Sequence, residues 1–214
     1  MSSLRRIVPI VAAGAAVLAL AACGGGSSSA ETSTGGGTVA TTGSGGAGER
    51  PPLDPDKTYT VTMDTSEGTF SFALDVKTSP NTTASFASLV KKGFFDGLTF
   101  HRIVADFVIQ GGDPNGDGTG GPGYTTVDTP PSDARYTKGV VAMAKTAAEP
   151  PGTSGSQFFV VTGADIGLPP DYALLGKVSD GLDVVEKIGA IPADPSTGVP
   201  SKTVTIRKAT LVES

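Results

Sequence analysis

Alternating apolar and polar positions predict a β-hairpin where the folded part of the chain begins. Apolar residues over 59–63 alternate with threonines, which is the period of a strand with one buried face. The same period returns over residues 70–74. Ser66-Glu67-Gly68 between the two runs has the composition of a turn, so the runs are predicted to pair.

A helix and a series of short strands are predicted next. Ser79-Pro80 is typical of an N-cap followed by proline at the first helical position, and Gly93 suits the C′ position that ends a helix. Apolar residues recur between them at helical spacing. Further apolar runs predict strands over residues 140–144, 157–162 and 173–178 and one that opens over 204–207, with a short helix over 182–188.

These elements predict a mainly β fold. Many short strands, two helices and abundant turn residues are typical of a closed or nearly closed antiparallel barrel. The first fifty residues contain almost nothing that could build a core. About 165 residues remain, which suffices for one sizeable hydrophobic core.

The first 22 residues have the organisation of a secretory signal. Arg5 and Arg6 precede an apolar stretch over residues 7–22, shorter than the roughly 20 apolar residues of a membrane-spanning helix. The end of this stretch also resembles the bacterial lipoprotein signal, in which the cysteine becomes the lipidated first residue. Cys23, the only cysteine, stands at the required place. Ordinary cleavage after Ala21 or Ala22 and an uncleaved anchor are the alternatives.

Composition divides the rest of the chain. Residues 24–48 are almost entirely Gly, Ser, Thr and Ala, so they are predicted to form a flexible tether. The predicted organisation is a signal peptide over 1–22, lipidated Cys23 with its tether over 23–52, and a folded domain over 53–214. This predicts an exported protein that is anchored in the membrane by its lipid, on the extracytoplasmic face.

The charge argues against a nucleic-acid partner. The 21 acidic and 16 basic residues give a net charge of −5, and loss of Arg5 and Arg6 with a signal leaves 14 basic residues and a charge of −7. No basic run follows, so the usual electrostatic signature of nucleic-acid binding is missing. We expect the domain to be monomeric.

The stretch from Phe100 to Asp113 carries the candidate chemistry. It contains the only histidine, His101, beside Arg102, and two apolar runs that predict a pair of short strands or one bent strand. An arginine in such a run is costly unless its stem packs and its head reaches a polar cleft. We therefore interpret Arg102 as functional, with a structural arginine paired to an acid as the alternative.

Five motifs occur in a fixed order through most of residues 57–214. They are Phe100-His101-Arg102-Ile103 with Phe107, Gln110-Gly111-Gly112-Asp113, Gly118-Thr119-Gly120-Gly121, Gly155-Ser156-Gln157-Phe158-Phe159 and Leu175-Gly176-Lys177-Val178. Together they resemble the cyclophilin-type peptidyl-prolyl cis/trans isomerases. The resemblance implies a closed eight-stranded antiparallel β-barrel capped by two α-helices.

The resemblance also implies a role for each matched residue. Arg102 matches the catalytic arginine, and Phe107 and Gln110 lie with it in the implied catalytic site. The proline ring is expected in an apolar pocket, with polar groups beside the peptide backbone and a strand edge along which the peptide lies. The matching residues are Phe107, Val108, Phe159 and Leu168 for the pocket, Gln110 and Gln157 for the polar groups, and Ala144, Lys145 and Thr146 for the edge. Tyr172, also assigned to the substrate site, stands where many members have histidine.

The chain departs from the best-known family members in two further respects. It has no tryptophan near Gly167, so cyclosporin sensitivity is not implied. Its segment over residues 146–154, which contains Pro150-Pro151, is longer than usual. We expect this segment to alter which peptides fit.

Three other features of the sequence suggest different chemistries but fit them incompletely. His101 has no second histidine and no G-x-S-x-G elbow to support a hydrolase, so it is interpreted as a packed, hydrogen-bonded core residue. Residues 116–121 fit G-x-G-x-x-G, but Pro122-Gly123 follow where a nucleotide site requires a helix. Residues 113–118 fit half of a calcium loop whose twelfth position is Tyr124, which leaves calcium binding the weaker alternative.

The implied function is peptidyl-prolyl cis/trans isomerisation that assists the folding of exported proteins, with proline-containing polypeptides as partners. The implied chemistry needs no nucleophile, metal or cofactor. One alternative is a module that binds proline-containing peptides, or acts as a chaperone, with little turnover. A cell-surface adhesion or scaffold role for the tethered chain is a third hypothesis.

Overall fold

The computed structural model describes residues 50–214, which contain ten strands and two α-helices. In chain order these are β1 (Tyr59–Thr65), β2 (Gly68–Leu74), α1 (Pro80–Lys91), β3 (Arg102–Val104), β4 (Val108–Gly111), β5 (Thr126–Val127), β6 (Val140–Met143), β7 (Thr153–Ser154), β8 (Phe158–Val161), β9 (Leu174–Asp180), α2 (Leu182–Gly189) and β10 (Ile206–Glu213).

Eight of these strands form one antiparallel sheet, which is strongly curled but open. Their order is β10-β1-β2-β9-β6-β8-β4-β3, and β5 pairs separately with β7. The mainly β class with two helices is confirmed, but the predicted closed barrel is wrong. The segments before the two edge strands meet at an isolated bridge between Thr99 and Thr205. At the edge of β3, the Ile103 amide donates to the Gly198 carbonyl at 2.8 Å, so a turn occupies the place that a closing strand would need.

One face of the sheet carries the main hydrophobic core, to which both helices contribute. Phe158 packs there against the rings of Phe86, Phe95 and Phe100, with ring centroids 5.5–5.9 Å apart. The ring planes are nearly perpendicular, which is a favoured geometry for aromatic pairs. These contacts hold β8 against α1 and against the segments that carry Phe95 and Phe100.

The opposite face of β4, β6 and β8 carries a smaller apolar cluster, which we call the second cluster. Val108, Ala142, Phe159 and Val161 are buried in it. Successive residues of a strand point to opposite faces, so Phe158 joins the main core and its neighbour Phe159 joins the second cluster. Strand β8 is apolar throughout because both of its faces are buried.

Helix α1 begins where the sequence predicts, but its first turn is capped from elsewhere in the chain. Ser79 occupies the N-cap position, yet its hydroxyl is buried without a partner among the described residues. Instead, Asp128 accepts a hydrogen bond from the Thr82 amide at 2.6 Å and another from the Asn81 side chain at 2.9 Å. A carboxylate here satisfies a free N–H group and complements the helix dipole.

The other predicted elements are confirmed, with small shifts at their ends. The β1-β2 hairpin forms, and the last strand begins at Ile206. Gly93 has φ +69° and donates to the Val90 carbonyl, as expected at C′. The stretch over residues 100–113 forms two paired strands, with Asp106 at φ +53° between them.

Predictions for the amino-terminal segment lie outside the described residues. They are the signal peptide over 1–22, the lipidated Cys23 and nearly all of the tether over 23–52. Within residues 50–214, neither helix has the length and apolar character that crossing a membrane requires.

Replacing the carboxylate that caps α1 should destabilise the fold more than replacing the residue at its N-cap position. We expect Asp128→Ala to lower the free energy of unfolding by about 1–2 kcal/mol, because the first turn loses its acceptor. Ser79→Ala is the matched control, and it should change the free energy by less than about 0.5 kcal/mol, since the hydroxyl makes no capping bond. Urea unfolding measures both; a larger loss for Ser79→Ala would contradict this assignment.

Candidate active site

Strand pairing places Arg102 at one end of a row of residues that crosses four strands. Arg102 pairs with Gln110, Gln110 with Phe159, and Phe159 with Ala142. Directly paired residues of neighbouring strands point to the same face of a sheet. All four side chains therefore lie on the face that carries the second cluster.

Two adjoining cavities open on this part of the molecule. The smaller, about 330 Å³, is lined by nine of the eleven residues predicted for catalysis or substrate binding: Arg102, Phe107, Val108, Gln110, Ala144, Lys145, Phe159, Leu168 and Tyr172. The other two, Thr146 and Gln157, line the larger cavity, about 920 Å³. The cavities share Gln110, Ala144 and Lys145, so all eleven residues lie in one continuous region. Their individual roles stay predictions.

Aromatic rings support the apolar side of the smaller cavity. Phe159 and Tyr172 meet edge to face, with ring centroids 5.6 Å apart. The buried Tyr136 packs against both, donates its hydroxyl to the Tyr172 carbonyl at 2.7 Å and accepts from the Tyr172 amide at 3.0 Å. Burial raises the pKa of Tyr136 to about 12, so this hydroxyl keeps its proton at neutral pH. Tyr136 was not predicted, because a single aromatic residue between strands carries no periodic signal.

The Arg102 guanidinium faces a neutral partner. Its Nη1 donates to Gln110 Oε1 at 3.4 Å. None of the ion pairs within residues 50–214 includes Arg102, which argues against the structural alternative of an arginine paired with an acid. Gln110 Nε2 donates to Gln157 Oε1 at 3.0 Å, and Gln157 Nε2 donates to the Gly118 and Gly120 carbonyls, both at 2.9 Å. A chain of amides thus directs the Gln110 oxygen towards the arginine.

One buried carboxylate organises the glycine-rich loop at the end of this chain. Asp113 is 1% exposed, and its oxygens accept hydrogen bonds from the amides of Asn115 at 2.8 Å, Asp117 at 3.1 Å and Gly118. These bonds hold the loop carbonyls that Gln157 contacts, and they use the carboxylate that a calcium loop would need. The sequence did not predict this role, since bonds to backbone amides leave no pattern in residue types.

The segment over residues 146–154 contributes an edge of the larger cavity. The Glu149 carboxylate accepts from the Thr146 amide at 2.6 Å and from its hydroxyl at 2.9 Å. Lys145 Nζ donates to the Glu149 carbonyl at 3.0 Å and lies 5.6 Å from the Tyr172 ring centroid, within cation–π range. The segment is therefore held beside the site by hydrogen bonds of Glu149 and Lys145. The sequence did not predict this role of Glu149.

His101 is packed but not hydrogen-bonded, which corrects the prediction. Both ring nitrogens are buried without a partner among the described residues. Burial lowers the pKa of His101, and the charge of Asp113 opposes this shift more weakly. The Asp113 oxygens already serve the loop amides, which leaves the imidazole packed in its neutral form.

Comparisons with known proteins identify the family of the chain. The family model described as cyclophilin type peptidyl-prolyl cis-trans isomerase/CLD matches residues 60–211. The chain belongs to the cyclophilin family. A cyclophilin-family relative from Rhizopus delemar, peptidyl-prolyl cis-trans isomerase-like 1, is 39% identical over 138 residues, which are 63% of this chain and 82% of the relative. The resemblance inferred from the five motifs is confirmed.

Two further proteins match most of the chain. One, named "Probable peptidyl-prolyl cis-trans isomerase B" from Mycobacterium leprae, is 39% identical over 178 residues, which are 75% of this chain and 59% of that protein. The other is a crystal structure of a Cryptosporidium parvum cyclophilin type peptidyl-prolyl cis-trans isomerase in the presence of the dipeptide Ala-Pro. It has a TM-score of 0.66 and 29% identity, and the match covers 72% of this chain and 98% of that one. The enzyme activity of the family is peptidyl-prolyl cis-trans isomerisation, EC 5.2.1.8.

Stability of this cyclophilin should depend on pH through its only histidine. Because the folded-state pKa of His101 is lowered, the unfolded chain binds a proton below its own pKa of about 6.5 that the folded chain does not bind. The free energy of unfolding should therefore fall as the pH drops from 7.5 to 5.5, by at most about 1.4 kcal/mol per pH unit. Urea unfolding across this range checks it. The slope should be smaller in His101→Gln; equal slopes would contradict the assignment.

Proposed function

We propose that this cyclophilin accelerates X-Pro isomerisation by binding the twisted amide through Arg102. The observation that carries the proposal is the position of the guanidinium. Arg102 lines the smaller cavity beside apolar residues, is oriented by the Gln110 amide, and belongs to none of the ion pairs found in residues 50–214. No carboxylate among the described residues therefore competes for its charge.

The chemistry of the X-Pro bond explains why such an arginine is useful. Rotation breaks amide resonance, which sets a barrier of roughly 18–20 kcal/mol. As the bond twists, the lone pair returns to the prolyl nitrogen, which becomes a better hydrogen-bond acceptor. A guanidinium aimed at this nitrogen binds the twisted state more tightly than either planar isomer. Only such a difference in binding lowers a barrier, and a fixed donor needs no reorganisation during the rotation.

The walls of the site suit the rest of a proline-containing peptide. The apolar side chains of Phe107, Val108 and Phe159 offer a proline ring a surface that excludes water. The larger cavity adjoins this apolar surface, and the polar residues Gln157 and Glu149 are part of its lining. We propose that residues before the proline extend over this cavity, along the edge of residues 144–146. The longer segment over 146–154 then influences which peptides fit.

Removal of the guanidinium should abolish most of the activity. We expect Arg102→Ala to lower kcat/KM for a proline tetrapeptide by about 10²–10³-fold, the loss typical of a fixed donor in a water-poor site. Arg207→Ala is the matched control. Arg207 is an exposed arginine on β10, whose Nη1 lies 3.9 Å from Asp64 Oδ1, and the activity of the variant should equal that of the unaltered protein. A coupled isomerisation assay measures all three proteins.

Other outcomes of this assay separate the competing functions. Equal activity in Arg102→Ala and the unaltered protein would remove Arg102 from the mechanism. If neither protein accelerates isomerisation while NMR detects binding of the peptide, the chain is a binding module with little turnover.

We further propose that the domain acts on exported proteins from a lipid anchor on the extracytoplasmic face of a bacterial membrane. Support comes from the signal-like residues 1–22, the position of Cys23 as the only cysteine, and the Gly- and Ser-rich composition of residues 24–48. A mycobacterial protein is among the relatives, which is compatible with a bacterial source. A tether of this composition and length would span roughly 25–30 Å and let the domain reach chains that emerge from the membrane.

The anchor makes a testable prediction about Cys23. We expect Cys23→Ser to release the protein from the membrane fraction of a bacterial host, because a hydroxyl cannot form the thioether to a lipid. Ser28→Ala, in the same segment, is the control and should leave the protein in the membrane fraction. Mass spectrometry of the unaltered protein should find Cys23 as a lipidated first residue. A free Cys23 thiol, or membrane association that survives in Cys23→Ser, would contradict the lipoprotein assignment.

A further inference from the structure

A turn over residues 194–199 covers the edge of the strand that carries Arg102. The Asp194 amide donates to the Val199 carbonyl at 2.9 Å, and the Gly198 amide donates to the Asp194 carbonyl at 2.8 Å, which closes the turn. The Gly198 carbonyl then accepts from the Ile103 amide at 2.8 Å. The turn is therefore attached to β3 next to Arg102.

Gly198 lies directly against the stem of Arg102. It is buried, although the turn residues on either side of it are exposed. A Cβ atom at Gly198 would lie 2.8 Å from Arg102 Cγ, 3.3 Å from the Ile103 carbonyl oxygen and 3.6 Å from Arg102 Cδ. The shortest distance, which is the only one under 3.0 Å, is to the aliphatic part of the arginine, before the guanidinium. The backbone of Gly198 has φ +78°, so glycine is favoured both by this close approach and by its conformation.

The turn is held in shape by one carboxylate. Asp194 Oδ1 accepts hydrogen bonds from the amides of Ser196 and Thr197, at 2.9 and 2.8 Å, and from their hydroxyls, at 2.6 and 3.0 Å. These bonds hold the pKa of Asp194 below its usual range, so the carboxylate stays ionised at neutral pH. The turn that contains Gly198 is thus stabilised by its own hydrogen bonds.

We infer that Gly198 is a positioning residue that fixes the aim of Arg102. The head of Arg102 is oriented by a hydrogen bond of 3.4 Å to Gln110, which is long. The stem, in contrast, lies so close to Gly198 that there is no room between them for a methyl group. Steric confinement of the stem therefore supplies the rigidity that the head contact lacks. This inference rests on the proposed role of Arg102 in isomerisation.

The inference predicts that a methyl group added at Gly198 should lower the rate of isomerisation by displacing Arg102. Ordinary contacts between carbon atoms begin near 3.4–4 Å, so the methyl of Gly198→Ala must displace the arginine stem by several tenths of an ångström. We expect kcat to fall about tenfold or more, because small misplacements of a catalytic group are costly. Affinity for a proline peptide should change by less than about threefold, since the apolar walls are untouched.

Gly97→Ala is the matched control for backbone strain. Gly97 has φ +85°, similar to Gly198, but a Cβ atom there would find nothing within 4 Å. Both variants therefore place alanine in a left-handed conformation, and only Gly198→Ala meets Arg102. Gly97→Ala should keep kcat within about twofold of the unaltered protein. Urea unfolding of both variants establishes that they are folded under the assay conditions.

A double-mutant cycle with Arg102→Ala decides the question, because alanine has no Cγ for the new methyl to displace. NMR exchange spectroscopy at high protein concentration measures the residual rate. Gly198→Ala should lower the rate in the unaltered background and leave the residual rate of Arg102→Ala unchanged. The inference is overturned if Gly198→Ala lowers both rates by the same factor, or if Gly198→Ala and Gly97→Ala have equal effects.

The same cycle keeps failure of the inference apart from failure of the proposed function. A normal rate in Arg102→Ala alone would reject the function proposed for the arginine. A strong loss in Arg102→Ala with no loss in Gly198→Ala would reject only the positioning role. In addition, the NMR signal of the Arg102 Nε–H group should shift in Gly198→Ala and stay unchanged in Gly97→Ala, which reports the displacement independently of activity.

Discussion

The site depends on an arginine that is oriented by an amide and not by a carboxylate. A guanidinium keeps its charge at any physiological pH, and a carboxylate partner would take its donors in a bidentate pair. Gln110 directs Arg102 with a neutral oxygen, and its own amide nitrogen is taken by Gln157. Gln157 in turn is held by loop carbonyls that Asp113 organises. The charge of Arg102 is therefore not paired with a carboxylate among residues 50–214, as the proposed contact with a twisted prolyl amide requires.

Much of the fold, and the residues that line the smaller cavity, could be predicted from the sequence, for two physical reasons. Period-two alternation in β1 and β2 reports which face is buried, and Gly93 marks the end of α1 through its conformational freedom. The five motifs fix chemically specific side chains in order along the chain. Strand pairing then brings Arg102, Gln110 and Phe159 into one row, as a site built from neighbouring strands requires.

What the sequence did not predict are contacts that depend on the three-dimensional path of the backbone. Ser79 has the residue type of an N-cap, but the helix is capped by Asp128. Asp128 lies 46 residues after Thr82, whose amide donates to it. Closure of the sheet fails because the edge of β3 is bonded to the turn at Gly198. His101 has no partner among the described residues, and the oxygens of Asp113 bond to backbone amides instead. In each case the contact involves backbone amides or carbonyls. The types of residue in the sequence carry little information about where these groups lie.

The central claim is that Arg102 binds the twisted amide more tightly than either planar isomer. NMR measurements on a proline peptide yield both the affinity for each isomer and the rate of exchange in the bound state. For Arg102→Lys, which keeps the charge but loses the planar set of donors, the account predicts an exchange rate lower by at least about tenfold, with affinities altered less than about threefold. A lower affinity with an unchanged exchange rate in the bound state would contradict the claim, because the arginine would then bind all states equally.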